Sequence, residues 1–165
     1  MQNNIPGLKL DFSKSPTIWK FLQDKSFVRG LIGPVGSGKS YACCAEIFKR
    51  AIQQKPSPRD GIKYSRFVIV RNSYPMLKTT TLKTWLELFP EHIYGPVHHS
   101  PPITHHIKLP SRDGAAGIDC EVIFLALDQP KDTRKLLSLE ITGAWINECR
   151  ELPKAVIDGT THRVG

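Results

Sequence analysis

Residues 33–40 read GPVGSGKS, and this stretch decides the fold. Its first glycine and its last three residues match the pattern GxxxxGK[ST], the phosphate-binding loop or Walker A motif. Glycines let the backbone turn so that successive N–H groups face phosphate oxygens, and the helix that follows adds the positive end of its dipole. The pattern predicts an ATP- and Mg²⁺-binding loop, with a plain glycine-rich turn as the alternative. Its residues are Gly33, Pro34, Val35, Gly36, Ser37, Gly38, Lys39 and Ser40.

Two of these residues carry specific chemistry. In the motif the lysine, here Lys39, reaches the β- and γ-phosphates, and the serine hydroxyl, here Ser40, ligates Mg²⁺. The flanking segments agree with the loop, because a short apolar run at 27–32 (FVRGLI) predicts a buried strand before it. After Gly38, apolar residues recur every three or four positions and predict a helix with one apolar face, formed by Tyr41, Ala45, Phe48 and Ile52.

The rest of the chain alternates between strand and helix patterns. Strands are predicted at 65–70 and 141–146, and a hairpin at 105–109 and 120–125. Helices are predicted at 17–22, at 130–137 and from a cap at Thr80 or Thr81 up to Pro90, with a loop at 91–104. Such alternation is typical of a three-layer α/β domain with a mainly parallel sheet.

Composition restricts the function classes. The chain has 165 residues, which suits one domain, and 23 basic against 15 acidic residues give a net charge of +8. This balance favours a polyanionic partner such as nucleic acid, although many basic domains bind none. Neither a signal peptide nor an apolar run of membrane-spanning length is found, so we expect a cytosolic protein.

Cysteines and histidines show no metal-binding pattern. The four cysteines form no CxxC pair, which predicts reduced, mostly packed thiols. The pairs His98–His99 and His105–His106 point to opposite faces of any strand, so they make poor joint ligands. The large aromatic residues Phe12, Trp85 and Trp145 are interpreted as core.

A second candidate site follows the strand predicted at 141–146. There ITGAWINE ends in Asn147–Glu148. In ATP-hydrolysing motors such a strand presents a Mg²⁺-associated residue, usually Asp, and then a Glu that polarises the attacking water. Glu148 fits the role of base, and a solvated carboxylate at a strand end is the alternative. Asn147 adds no negative charge but can accept a hydrogen bond from a Mg²⁺-bound water.

Three blocks together resemble the ATPase part of large terminase subunits of tailed bacteriophages, the motors that translocate DNA into a procapsid. The blocks are GPVGSGKS, RNSYPMLKTTTLKTWLELFPE at 71–91 and LDQPKDTRKLLSLEITGAWINECRELPKAVID at 127–158, and the likeness spans about residues 15–165. The resemblance implies a P-loop NTPase fold of the additional-strand, catalytic-glutamate (ASCE) type. It also implies ATP and Mg²⁺ at Gly33 to Ser40, Glu148 as catalytic base, and Asn147 in place of the commoner metal-associated Asp.

The resemblance extends to other residues and to partners. Trp19 and Gln23 stand where related motors contact adenine, with a packed aromatic and a surface amide as the alternative. In such motors an arginine from the same or a neighbouring subunit reaches the γ-phosphate. Arg71 is the first candidate, with Arg134 and Arg150 behind it, and salt-bridge or DNA-phosphate roles remain open for all three. The implied partners are double-stranded DNA, the portal protein, the small terminase subunit and further copies in a ring, in the host cytoplasm at the procapsid portal.

For domain organisation, we expect an irregular lead-in at 1–16 and an ATPase domain at 17–165, with no nuclease domain. Related ATPases insert a later strand between the Walker A and Walker B strands, and no apolar run after Glu148 supplies one. The sequence therefore predicts a truncated or split domain. Either 27–32 pairs directly with 141–146, or the sheet keeps a central gap. A small-molecule phosphotransferase and a non-hydrolysing nucleotide- or DNA-binding remnant are the competing functions.

Overall fold

A five-stranded sheet forms the centre of the computed structural model, which describes residues 11–127 and 130–165. The strands are β1 Lys63–Arg71, β2 Val97–His98, β3 Ile103–Leu109, β4 Ile118–Ala126 and β5 Gly143–Ile146. Their order across the sheet is β2-β3-β4-β1-β5. Strands β4, β1 and β5 run parallel, whereas β3 is antiparallel to β4 and to β2. The predicted hairpin and the parallel centre of the sheet are confirmed.

Helices connect and cover these strands. They are α1 Pro16–Gln23, α2 Lys39–Ile52, α3 Tyr74–Met76, a π-helix at Leu77–Leu82, α4 Lys83–Leu88, α5 Glu91–Tyr94, α6 Arg134–Leu137 and α7 Lys154–Thr161, with 3₁₀ turns at Pro130–Thr133 and Cys149–Glu151. Within the described ranges, none of them is long and apolar enough to cross a bilayer. The expected lead-in at 1–16 lies outside the described residues for its first ten positions.

The sheet carries one hydrophobic core on each face because side chains alternate along a strand. On one face Phe67 and Ile69 pack with Phe48 of α2 and Trp85 of α4. On the other face Val68 and Val70, the residues of β1 that alternate with these two, pack with Leu136 of α6 and Val156 of α7. This arrangement is the predicted three-layer α/β architecture. Trp85 is fully buried, as predicted, and Phe12 and Trp145 pack at the margins of two clusters.

The predicted strand at 27–32 is wrong, because this segment has no strand conformation and belongs to none of the five strands. Three of its apolar side chains remain in solvent, with exposed fractions of 68% for Phe27, 70% for Val28 and 98% for Ile32, whereas Leu31 packs partly against α1 and α2. A strand requires a hydrogen-bonded neighbour, and β5 is bonded to β1 and ends the sheet on that side. Of the two expected arrangements, direct pairing with 141–146 does not occur, and β5 is an edge strand of the described sheet.

The helix before Pro90 begins earlier than predicted. Thr80 and Thr81 are not caps, because helical structure runs unbroken from Tyr74 to Leu88 through the π-helix. The start is set by Ser73, whose backbone is extended, and by Pro75 in the first turn, where proline fits without losing a hydrogen bond. The predicted loop at 91–104 also contains α5 and β2.

Helix α2 is confirmed, but its predicted apolar face is largely wrong, because Phe48 is the one residue of the predicted four that is buried. Tyr41 is exposed at 36%, whereas Ala42 and Phe48 are buried. Helix α2 buries residues on two sides because it packs against the sheet through Phe48 and against α1 through Ala42.

A buried hydrogen-bond chain fixes the protonation of one histidine. Trp85 Nε1 donates to His105 Nδ1 at 2.9 Å, and His105 Nε2 donates to the Gly95 carbonyl at 2.9 Å. The ring is therefore neutral with its proton on Nε2. Burial lowers the pKa of His105 below its ordinary value of 6.5, because a charged ring would lose its solvation and its bond from Trp85.

His105 should make the free energy of unfolding depend on pH. In the unfolded chain the ring binds a proton below about pH 6.5, whereas in the folded chain it does so only at lower pH. Stability from this group is therefore present above pH 6.5 and is lost as pH falls, at up to about 1.4 kcal/mol per pH unit. Denaturant unfolding between pH 7.5 and 5 should show this slope in the wild type and less of it in His105→Gln. An equal slope in both proteins would contradict the assignment.

Candidate nucleotide site

The loop at 33–38 is shaped by two glycines. Gly36 and Gly38 have φ values of 77° and 79°, a region that side chains disfavour and glycine adopts freely. Gly38 is the N-cap of α2, and its carbonyl accepts the first helical bond from the Ala42 N–H at 2.9 Å. The predicted connection of a glycine-rich turn to a helix N-terminus is therefore present in the structure.

Backbone donors in this loop are largely available. Within the described residues, the N–H of Ser37 bonds the Pro34 carbonyl at 3.4 Å, and those of Val35, Gly36 and Gly38 donate to no backbone oxygen. The first N–H groups of α2 have no intrahelical partner either. Clustered free donors at a turn and a helix N-terminus suit an anion with several oxygens, such as a polyphosphate.

The Lys39 side chain folds back over the loop. Its ammonium donates to the carbonyls of Gly33 at 2.7 Å and Pro34 at 2.6 Å, and to Ser37 Oγ at 3.2 Å. These oxygens hold the positive charge beside the free N–H groups. An anion entering the loop would meet donors and a cation together. Ser40 lies in the first turn of α2 and is partly exposed.

Helix α1 lies beside the loop. Ile18 and Leu22 of α1 pack with Ala42 of α2, and Ile18 Cδ1 would be 3.3 Å from a Cβ at Gly38. The two residues predicted to contact adenine are on the exposed side of this helix, with Trp19 57% exposed and Gln23 also in solvent. They lie on an element that touches the loop, and their contact with a base stays a prediction.

A buried carboxylate that the sequence analysis missed fastens the segment before the loop. Glu46 of α2 is buried and pairs with Arg29 at 2.8 Å, Arg50 at 2.7 Å and Lys49 at 3.3 Å. Arg29 also donates to the carbonyls of Phe21 and Asp24, both at 3.1 Å. The interaction ties residues 21–29 to α2. The available signal was the spacing of Glu46 from Lys49 and Arg50, which lie three and four residues later in the same helix.

The carboxyl ends of β1 and β5 bring together two predicted site residues. Arg71 ends β1 and is 95% buried, and its guanidinium lies 4.0 Å from Glu148 and 3.6 Å from Glu151. Its Nε has no hydrogen-bond partner in the described structure. Glu148 has a φ of 55° and is 40% exposed at its side chain. Left-handed backbone is uncommon outside glycine and is found often at functional sites.

Asn147, the candidate metal-associated residue, is bonded to residues other than Arg71. Asn147 is held by its N–H to the Val70 carbonyl at 2.9 Å, and its side-chain amide donates to Thr81 Oγ1 at 2.9 Å. Among the described residues no hydrogen bond to its amide oxygen is found. Within the described residues, neither hydrogen bonds nor ion pairs connect Asn147 or Glu148 to the loop at 33–40.

The other candidate arginines are exposed. Arg134 begins α6 in solvent, and Arg150 is 84% exposed at its side chain, 3.8 Å from Glu148. An arginine that reaches a neighbouring subunit must be exposed, which Arg71 is not. The burial of Arg71 therefore fits a role within its own chain better than one in a neighbouring subunit, and its contact with a γ-phosphate stays a prediction.

The thiols are mostly packed, as predicted: Cys44 and Cys120 are buried and Cys43 is partly buried, whereas Cys149 is exposed. Burial raises the pKa of Cys43 to about 12 and of Cys120 to about 11, and raises that of Cys44 well above its ordinary value. These thiols stay protonated at neutral pH. Over the described ranges, no three His, Cys, Asp or Glu side chains gather as metal ligands would.

The fold and the loop define a class, an α/β domain with a glycine-rich turn before its main helix. No family model matches the sequence, and none of the curated proteins matches it. Among solved structures, the fold is similar to that of the Thermus phage P74-26 large terminase ATPase domain, with a TM-score of 0.53 and 14% identity over 89% of this chain. A mutant of that domain gives a TM-score of 0.42, 16% identity and 78% coverage of this chain. The chain spans 60% of the length of the first of these structures and 53% of the second.

Proposed function

We propose that the chain is the ATP-binding and ATP-hydrolysing part of a phage large-terminase motor that drives double-stranded DNA into a procapsid. The observation that carries the proposal is the loop at 33–38, where free backbone N–H groups and the Lys39 ammonium lie together at the start of α2. The fold similarity to a terminase ATPase domain supports it. The basic charge of +8 is consistent with a DNA partner.

Nucleotide binding follows from the donors of this loop. On this proposal the N–H groups of residues 35–40 bind phosphate oxygens, and Lys39 leaves the Gly33 and Pro34 carbonyls to contact the triphosphate. Trp19 and Gln23 flank the base on α1. The Ser40 hydroxyl would hold Mg²⁺ directly and Asn147 would hold it through a water. The ion when bound neutralises charge on the phosphate oxygens.

Hydrolysis follows from Glu148, which accepts a proton from the attacking water on this proposal. Arg71 orients Glu148 from within the same chain, because it is buried beside it. The exposed Arg134 takes over as the candidate for the arginine supplied to a neighbouring subunit in a ring. The portal protein and the small terminase subunit remain proposed partners in the host cytoplasm.

Two observations favour a second candidate, a nucleotide- or DNA-binding remnant that does not turn over. Residues 27–32 lie off the sheet, and the Asn147 amide is engaged by Thr81. A small-molecule phosphotransferase is the third candidate and gains no further support from the structure.

Phosphate release from ATP, measured with and without linear double-stranded DNA, distinguishes the three. We expect DNA to stimulate phosphate release without any phosphorylated small molecule being formed. Nucleotide binding with no hydrolysis, even with DNA present, would instead favour the remnant. Transfer of the γ-phosphate to a metabolite would favour the phosphotransferase.

A further inference from the structure

A buried hydrogen bond joins two segments that are far apart in sequence. Thr81 lies in the π-helix and is 1% exposed, and its Oγ1 accepts the side-chain N–H of Asn147 at 2.9 Å. Asn147 directly precedes Glu148, whose backbone is left-handed. Any movement of the π-helix would therefore act on the residue before the proposed base.

The segment that contains Thr81 is unusual. A π-helix of six residues is rare, and such geometry is found most often at functional sites. Thr79 and Thr80 bond back to the carbonyls of Pro75 and Met76 at 2.8 and 2.6 Å, and these bonds compete with regular backbone pairing. Because π turns occur mostly as insertions within α-helices, the alternative geometry for this segment is an ordinary α-helix continuous with α4.

The solvent side of this segment is basic. Lys78 lies in the π-helix and Lys83 directly follows it as the first residue of α4; both are exposed, and neither makes an ion pair with any described residue. The i→i+5 repeat of a π-helix places residues five apart about one turn above each other. In an α-helix the same two residues would be about 140° apart around the axis. A change from the π-helical to the α-helical conformation would therefore move the Lys78 and Lys83 ammonium groups apart around the helix axis, and the reverse change would align them.

We propose that the Thr81–Asn147 hydrogen bond couples the nucleotide site to double-stranded DNA whose phosphates bind Lys78 and Lys83. The coupling rests on the proposed function. DNA favours the π-helical geometry, because this geometry aligns the two lysines. The position of Thr81 in that helix then fixes the position of Asn147 through their hydrogen bond, and Asn147 in turn positions Glu148. Since coupling free energies are reciprocal, nucleotide must change DNA affinity by the factor by which DNA changes nucleotide affinity.

The test is Thr81→Val, which keeps the shape of the side chain and removes the hydroxyl. The measured quantity is the ratio of Kd values for a non-hydrolysable ATP analogue with Mg²⁺, without and with a saturating linear DNA duplex. We expect a ratio of about 5–150 in the wild type, the usual range for coupled sites, and a ratio near one in the variant. Affinity for each ligand alone should stay unchanged.

The control is Thr160→Val. Thr160 is also 1% exposed, and its hydroxyl donates to the Val156 carbonyl at 2.7 Å within α7. This variant loses a buried threonine hydroxyl without touching Asn147, so it should keep the wild-type ratio. Thr81→Ser retains the oxygen and should restore the coupling. If Thr81→Val does not fold, Thr81→Ala removes the same bond with less bulk.

The outcomes separate the coupling from the proposed function. A wild-type ratio in folded Thr81→Val or Thr81→Ala would overturn the coupling and leave the ATPase assignment in place. A ratio of one in a wild type that binds both ligands would also overturn the coupling and leave the ATPase assignment in place. A wild type that binds neither ATP nor DNA would overturn the proposed function, and the coupling with it.

Discussion

Glu148→Gln is expected to keep ATP binding and to lower phosphate release by about 10²–10⁴-fold, the usual contribution of a proton-transfer catalyst. The amide has almost the shape of the carboxylate but cannot take a proton from water. Glu148 is partly exposed, and among the described residues its ion pairs are the long ones to Arg71 at 4.0 Å and Arg150 at 3.8 Å. The change should therefore leave stability almost unaltered. The measurement is steady-state phosphate release with DNA present, beside equilibrium binding of ATP.

Two companion variants make this result specific. Glu140→Gln changes another exposed glutamate, before β5, and should leave turnover as it is. Asn147→Asp should preserve or raise turnover, because the Thr81 hydroxyl can donate to an aspartate where it now accepts from the amide. Normal hydrolysis by Glu148→Gln would show that another residue is the base.

Lys39→Ala is expected to weaken ATP binding by about ten- to more than a hundredfold. This range corresponds to the loss of a charge-assisted contact of about 1.5–3 kcal/mol. The variant also removes the three bonds by which the ammonium holds Gly33, Pro34 and Ser37, so the loop itself should loosen. Binding of ATP·Mg²⁺ by calorimetry measures the effect.

The matched control is Lys55→Ala, which removes an exposed lysine just after α2 and should leave the affinity unchanged. Unaltered ATP affinity in Lys39→Ala would place the triphosphate elsewhere. Equal losses in both variants would point to a non-specific charge effect.

Local patterns predicted most elements because they depend on neighbouring residues. The apolar run at 65–70 became β1, the hairpin formed as β3 and β4, and the helix after Gly38 became α2. The run at 27–32 has an equally strong pattern, but a strand depends on a partner that can be anywhere in the chain. In the structure the ion pair between Arg29 of this segment and Glu46 holds the segment against α2 instead.

The candidate site was predictable in its parts and less so in its connections. The glycine-rich motif indicated the loop, and the end of the last parallel strand indicated Glu148. Arg71 and Glu148 meet because the carboxyl ends of β1 and β5 lie side by side. The bond between Thr81 and Asn147 links residues 66 positions apart, and no local pattern encodes it.

Hydrogen exchange of the backbone amides, with and without ATP·Mg²⁺, tests the central claim most directly because it reports on the loop N–H groups themselves. The loop at 33–40 should exchange more slowly once nucleotide is bound. The glycine-rich turn at 111–117, between β3 and β4, is the internal control and should not change. Exchange at 33–40 that is unaffected by saturating nucleotide, or protection of 111–117 to the same degree, would contradict the account.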